Sequence, residues 1–208
     1  MKNLKYLIML FFSLVLSGCS LNTNSNSKNQ TIIDNTNYYS LNSINYNSEK
    51  LSAQSAVEET LYSFSTQILD KDEGRQKNIE LTCSTLNGTV VNSGDTFSFC
   101  DTVGQATPER GYYKAKIFGA DGKVTEGYGG GNCQVSSTLY NAVLQDANLE
   151  IVERHPHAQK VYYVESGKDA AVACGSVDFK FKNNNTFNVR IDASTDGNYV
   201  YVSIIRVS

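Results

Sequence analysis

The chain has 208 residues, a net charge of −3 and no basic block, which argues against nucleic acid as a partner. Hydrophobic residues make up 40% and charged residues 19%, a balance that suits one globular domain with a sizeable core. There are five cysteines and two histidines but no Cys-x-x-Cys pair, so a structural zinc site has little support.

The chain opens with "MKNLKYLIMLFFSLVLSGC". Lys2 and Lys5 precede an apolar run from Leu7 to Leu16 that is too short for a permanent membrane span. The ending Leu16-Ser17-Gly18-Cys19 is similar to a bacterial lipobox, in which the cysteine is acylated and becomes the new N-terminus. Residues 1–19 are therefore expected to be a lipoprotein signal, with Cys19 as the lipidation site and two acyl chains giving a stable membrane anchor. Residues 20–50 are rich in Asn and Ser without an apolar period and read as a flexible tether. The expected location is extracytoplasmic, on the outer face of the cell membrane.

Residues 51–208 form the expected domain. "ETLYSFSTQIL" alternates Tyr62, Phe64, Thr66 and Ile68 against Leu61, Ser63, Ser65 and Gln67, which predicts a strand. "DKDEG" reads as a turn. "RQKNIELTCSTLNG" puts Ile79, Cys83 and Leu86 on one helical face and stops at Asn87-Gly88. "TVVNSGDTFSFC" reads as strand, turn and strand, and "GYYKAKIFGADGKVTEGYGGG" as a hairpin around Asp121-Gly122. A second helix is predicted from Cys133 to Ala147, with Val135, Leu139, Ala142, Val143 and Ala147 on one stripe. Short β-rich runs follow: "EIVERHPH", "KVYYV", "ACGSVDFKFKN", "FNVRIDAS" and "YVYVSIIRV". The fold class expected is α+β, a mainly antiparallel sheet with two principal helices in a single globular domain.

Four cysteines remain after Cys19. Cys83 and Cys100 are a possible disulfide, worth roughly 3 kcal/mol in the chain-entropy model; alternatively Cys83 is a small buried hydrophobe on its helix face. Cys133 follows Gly129, Gly130 and Gly131, with Asn132 as the expected N-cap. That places the thiol in a first helical turn, where unpaired N–H groups and the dipole favour a thiolate and could also hold an oxyanion. A cysteine packed under a tight strand-to-helix turn fits the spacing as well. Both histidines, His155 and His157, lie in "ERHPHAQ", and either could serve a thiolate as base. Asp169 and Asp178 are the candidate carboxylates to orient it.

The blocks "NIELTCSTLNGTVVNSGDTFSF", "GGGNCQVSSTLYNAVLQDANLEIVERHPH", "GKDAAV" and "GSVDFKFKN" resemble, in order, those of the VanW domain family, from about Ser63 to Val189. The family takes its name from vancomycin-resistance gene clusters, and some members are regarded as L,D-transpeptidases. The resemblance implies Cys133 as nucleophile, His157 (in ER-x-x-H) as base and Asp169 as the residue that orients the histidine or holds substrate. Gly130, Gly131, Asn132, Gln134, Ser136, Ser137, Arg154 and His155 flank these positions and are expected to line the substrate site. Cys100 and Cys174 depart from the family pattern, as does "GQATPERGYY", where Arg110 is the available arginine. The implied reaction is acyl transfer between peptidoglycan stem peptides through a Cys133 thioester, giving 3→3 cross-links, with no metal and no cofactor. A cell-wall or glycopeptide-associated binding lipoprotein without catalysis is the alternative function.

Overall fold

A computed structural model describes residues 58–118 and 123–208. The signal, Cys19, the tether and the Asp121-Gly122 turn lie outside the described residues.

The first strand, β1 (Glu59–Gln67), turns Tyr62, Phe64 and Thr66 inward as its alternation predicts. Helix α1 (Glu73–Leu86) begins within the expected turn, because the Asp72 carboxylate accepts the Arg75 N–H at 2.9 Å and caps it. Ile79, Cys83 and Leu86 are buried on its inner face. Strands β2 (Thr89–Val91) and β3 (Thr96–Ser98) flank the Asn-Ser-Gly turn but belong to different sheets. Phe99 and Cys100, read as strand, start a short helix α2 (Phe99–Val103), since Ser98 Oγ accepts the Asp101 N–H and caps it. Strands β4 (Lys114–Phe118) and β5 (Val124–Tyr128) form the expected antiparallel hairpin.

Helix α3 (Asn132–Val143) is capped by Gly131, not Asn132, and stops four residues before the predicted end at Ala147. Gln145 and Asp146 donate to the carbonyls of Ala142 and Val143, tightening the last turn, and Asp146 Oδ1 accepts the Asn148 N–H in a loop. β6 (Leu149–Glu153), β7 (Lys180–Asn183), β8 (Asn188–Thr195) and β9 (Tyr199–Val207) complete the fold. "KVYYV" is loop rather than strand.

The strands pair antiparallel throughout, in the orders β1-β9-β8-β2 and β3-β7-β6 plus the β4-β5 hairpin. Both long helices lie against the four-stranded sheet, where Val189, Ile191, Val202 and Ile204 meet Ile79, Leu86, Val135 and Leu139. Phe97, Phe179 and Phe181 bring the three-stranded sheet into the same core. The fold is therefore α+β, mostly antiparallel, with two principal helices and a short third.

Candidate active site

The glycine run is built for one entry into α3. Gly129 (φ 84°) and Gly131 (φ 116°) are left-handed, a conformation that side chains with a Cβ rarely adopt. Gly130 lies so close beneath β4 that a Cβ there would come within 2.7 Å of the Lys116 carbonyl oxygen. Asn78 Nδ2 holds the Gly130 carbonyl, and Thr82 Oγ1 donates to Asn132 Oδ1 at 2.8 Å, fixing the loop onto α1. The amides of Asn132, Gln134 and Val135 turn back onto the carbonyls of Gly129 and Gly131, so they are not the free oxyanion donors that the spacing suggested.

Cys133 is half-buried in the first turn of α3. What faces its sulfur comes from elsewhere in the chain. Ser137 Oγ accepts the Ala170 N–H at 2.9 Å, Ser136 Oγ donates to the Ala170 carbonyl, and Asn141 Nδ2 donates to the Lys168 carbonyl at 2.7 Å. These α3 side chains dock the strip 168–172 along the helix. Val172 then meets Cys133: its N–H donates to Sγ, and the thiol donates to its carbonyl, both at 3.4 Å. The same strip pairs with the segment after β6, where the Ala171 N–H donates to the His155 carbonyl at 2.8 Å. That pairing delivers His157.

His157 and Asp169 form a close pair. Asp169 Oδ2 accepts Nδ1–H at 2.7 Å and the His157 backbone N–H at 2.6 Å. Nδ1 being committed, Nε2 is the nitrogen left to serve the neighbouring Cys133 thiol. Burial disfavours the imidazolium, but Cys133 and Asp169 together hold the His157 pKa above its ordinary value. Burial likewise opposes the Asp169 charge, and the His157 N–H groups outweigh it, holding that carboxyl below the usual range. Arg154 Nη2 donates to Asp169 Oδ1 at 2.8 Å and its guanidinium stacks on Tyr140, so Arg154 steadies the carboxylate. Phe118 of β4 lies edge-on to the His157 ring at 6.4 Å.

The structure brings Cys133, His157 and Asp169 together and separates His155 from them. The His157 side chain is 6% exposed, whereas that of His155 is 43% exposed and pairs with Glu153 at 3.0 Å. Asp178 accepts from Ser98 Oγ and from the Cys100 and Phe179 amides, a structural role at the start of α2. Gln134, Ser136, Ser137 and Asn132, expected to face substrate, are buried and bonded within the fold, Gln134 to Thr66, the Gln67 carbonyl and Arg75. Arg110 donates to the Val103 carbonyl.

The disulfide also differs from expectation. Cys100 pairs with Cys174, their Cα atoms 5.1 Å apart, while Cys83 and Cys133 are free. Cys83 is the buried hydrophobe of the alternative reading, with burial pushing its thiol up to about 12. The bridge ties α2 to the loop just after Val172. Two participants were missed in the sequence. Val172 acts through its backbone, which carries no residue signature. Tyr163, hidden in "KVYYV", lines an open cavity of about 710 Å³ beside α3 with Phe64, Leu144 and Tyr162. Burial and the neighbouring Cys133 hold its phenol protonated.

An α+β domain that sets a cysteine at a helix start, against a histidine–aspartate pair, defines the class of protein. The family described as VanW like protein matches residues 74–205, and the chain belongs to it. It is 41% identical over 133 residues to the uncharacterized protein YoaR of Bacillus subtilis (strain 168), covering 64% of this chain and 43% of that protein. It is 33% identical over 129 residues to the Vancomycin B-type resistance protein VanW of Enterococcus faecalis (strain ATCC 700802 / V583), covering 60% of this chain and 46% of the other. The aligned part thus spans less than half the length of these curated relatives. No solved structure gives a significant match.

Proposed function

We propose that this chain is a cysteine acyltransferase acting on peptidoglycan stem peptides, an L,D-transpeptidase held outside the cell membrane by a lipid at Cys19. The observation that carries this reading is the convergence on one sulfur of the His157–Asp169 pair and the Val172 amide. A thiolate stabilised by an imidazolium is a nucleophile at neutral pH.

In this scheme the Cys133 thiolate attacks the carbonyl of the third stem residue. The amide C–N bond breaks, and the His157 Nε2 proton goes to the departing D-alanine amine. The acyl group stays on sulfur as a thioester. A side-chain amine of a neighbouring stem then attacks, gives a proton to neutral His157 and expels the thiolate, leaving a 3→3 cross-link. Water in place of the amine gives hydrolysis. Asp169, held by Arg154, keeps the histidine in the tautomer that the cycle needs.

The test is incubation of the purified protein with tetrapeptide-bearing muropeptides, followed by mass spectrometry. Cross-linked dimers or D-alanine loss with wild type and neither with Cys133→Ala are expected. Identical products from the two proteins would remove the enzyme reading and leave a wall-binding module.

A further inference from the structure

Arg154, Lys180 and Arg190 each hold a carboxylate of the domain. Arg75 holds none among the described residues. It lies in the first turn of α1, and its carbonyl oxygen is 3.2 Å from where a Cβ on Gly131 would sit, so it is wedged against the glycine entry to α3. Nη2 donates to Gln134 Oε1 at 2.8 Å, beside the residue that carries the thiol. Nε is buried without a hydrogen-bond partner. A buried donor left unmet is costly, and folds retain one mainly where something else completes it. Burial raises the pKa of the Tyr163 phenol, and the charges of Cys133 and Arg75 both reach it, the first raising and the second lowering it.

The geometry points to Arg75 as a specificity-determining residue that binds a carboxylate of the acyl donor next to Cys133; this rests on the acyl-transfer reading of that thiol. The chemistry matches the position. In a stem peptide the carboxylate of the leaving D-residue is three bonds beyond the attacked carbonyl carbon, within reach of a guanidinium anchored one residue along from the nucleophile. A carboxylate on the side chain of the diamino acid is the second source of the same group. The planar fork of arginine accepts either in a bidentate pair, which lysine cannot reproduce. Donors that lack the group leave Nε unmet and bind less well.

Binding is read by calorimetry on the full chain carrying Cys133→Ala, so that no turnover is required. Three tetrapeptide donors are compared: the free acid, its C-terminal amide, and one amidated on the diamino acid side chain. The free acid should bind about tenfold or more tighter than one of the amides, and which amide loses affinity identifies the source. Arg75→Gln should abolish that preference, and Arg75→Lys should reduce it several-fold. Unchanged melting temperature and unchanged alkylation of Cys133 in the parent background show that the variants are folded, and Arg75→Lys decides the matter if Arg75→Gln does not fold. Binding of none of the donors, or a preference that survives replacement of Arg75, overturns the inference. Arg75-dependent binding in a wild type that forms no cross-links would instead refute the acyl-transfer reading and leave the carboxylate site standing. Turnover whose donor preference ignores Arg75 would do the reverse.

Discussion

Two free thiols in one domain show how placement decides reactivity. Cys83 lies against the sheet with burial pushing it up to about 12, whereas Cys133 is half-buried with an imidazole and an amide at its sulfur. At pH 7, iodoacetamide should therefore label the described domain once, at Cys133, and His157→Ala should slow that labelling about tenfold or more; equal labelling of both cysteines, located by peptide mass mapping, would count against the site. The His157–Asp169 pair makes a second prediction, on stability. Asp169 is held below its ordinary 3.8, so its contribution is present above that pH and is lost as pH falls through the folded value. His157 is held above its ordinary 6.5, so its contribution is complete below that pH and is lost as pH rises through the folded value. The pair is worth most between these two ordinary values. Asp169→Asn should cost about 1–3 kcal/mol in that window, and the deficit in urea unfolding should narrow on both sides. A deficit flat from pH 3 to 9 would mean that charge plays no part in it. At this scale the sequence was informative where a residue type has one chemistry, as for the thiol that closely follows three glycines and the scarce histidines. It was uninformative for Gln134, Ser136 and Ser137, polar side chains that look solvent-bound until the strip that needs their hydrogen bonds is docked on them.

At the scale of elements, periodicity decided most of the outcome. The face Ile79–Cys83–Leu86, the alternation of β1 and the stripe Val135–Leu139–Ala142–Val143 are each buried as their spacing requires. Composition misled in "KVYYV", whose aromatic and β-branched residues suit a strand but which finds no strand edge to pair with; its Tyr163 is turned onto α3 instead. The end of α3 was invisible because Asp146 leaves the helix to accept from Asn185, far along the chain, at 3.0 Å. The entry to α3, by contrast, was written in its glycines. Gly131→Ala would hold an alanine at φ 116° with its Cβ 2.7 Å from Ile79 Cγ1. It should destabilise the domain by about 1–3 kcal/mol from backbone strain alone, with repacking of Ile79 added. Thermal melts against Gly88→Ala, where a Cβ meets nothing within 4 Å at φ 84°, separate strain from clash: the Gly131 variant should melt lower.

For the molecule as a whole, the disulfide joins what the topology leaves apart. Cys100 sits in α2, after the three-stranded sheet's β3, and Cys174 lies 74 residues later, just beyond the strip that carries Asp169 and Val172. Nothing local in the sequence could announce this pairing, because it depends on how the 169–178 segment is laid along α3 and back to α2. Once that segment is docked, the bridge has two separable effects. Closing a loop of this length restricts the unfolded chain by about 4 kcal/mol in the chain-entropy model, whatever the loop does in the native state. It also fixes the segment whose Val172 N–H reaches the Cys133 sulfur at 3.4 Å. A purely entropic bridge lowers stability on removal and leaves the native site unchanged. A bridge that also positions Val172 slows Cys133 alkylation under conditions where the protein is still folded. We expect the second behaviour for Cys100→Ala/Cys174→Ala: a lower melting temperature together with alkylation slowed several-fold at 20 °C, where circular dichroism reports an intact fold. Alkylation at the wild-type rate in the folded double variant would reduce the bridge to a staple, and the geometry at Cys133 would then rest on Ser136, Ser137 and Asn141 together with the pairing of the strip to the segment after β6.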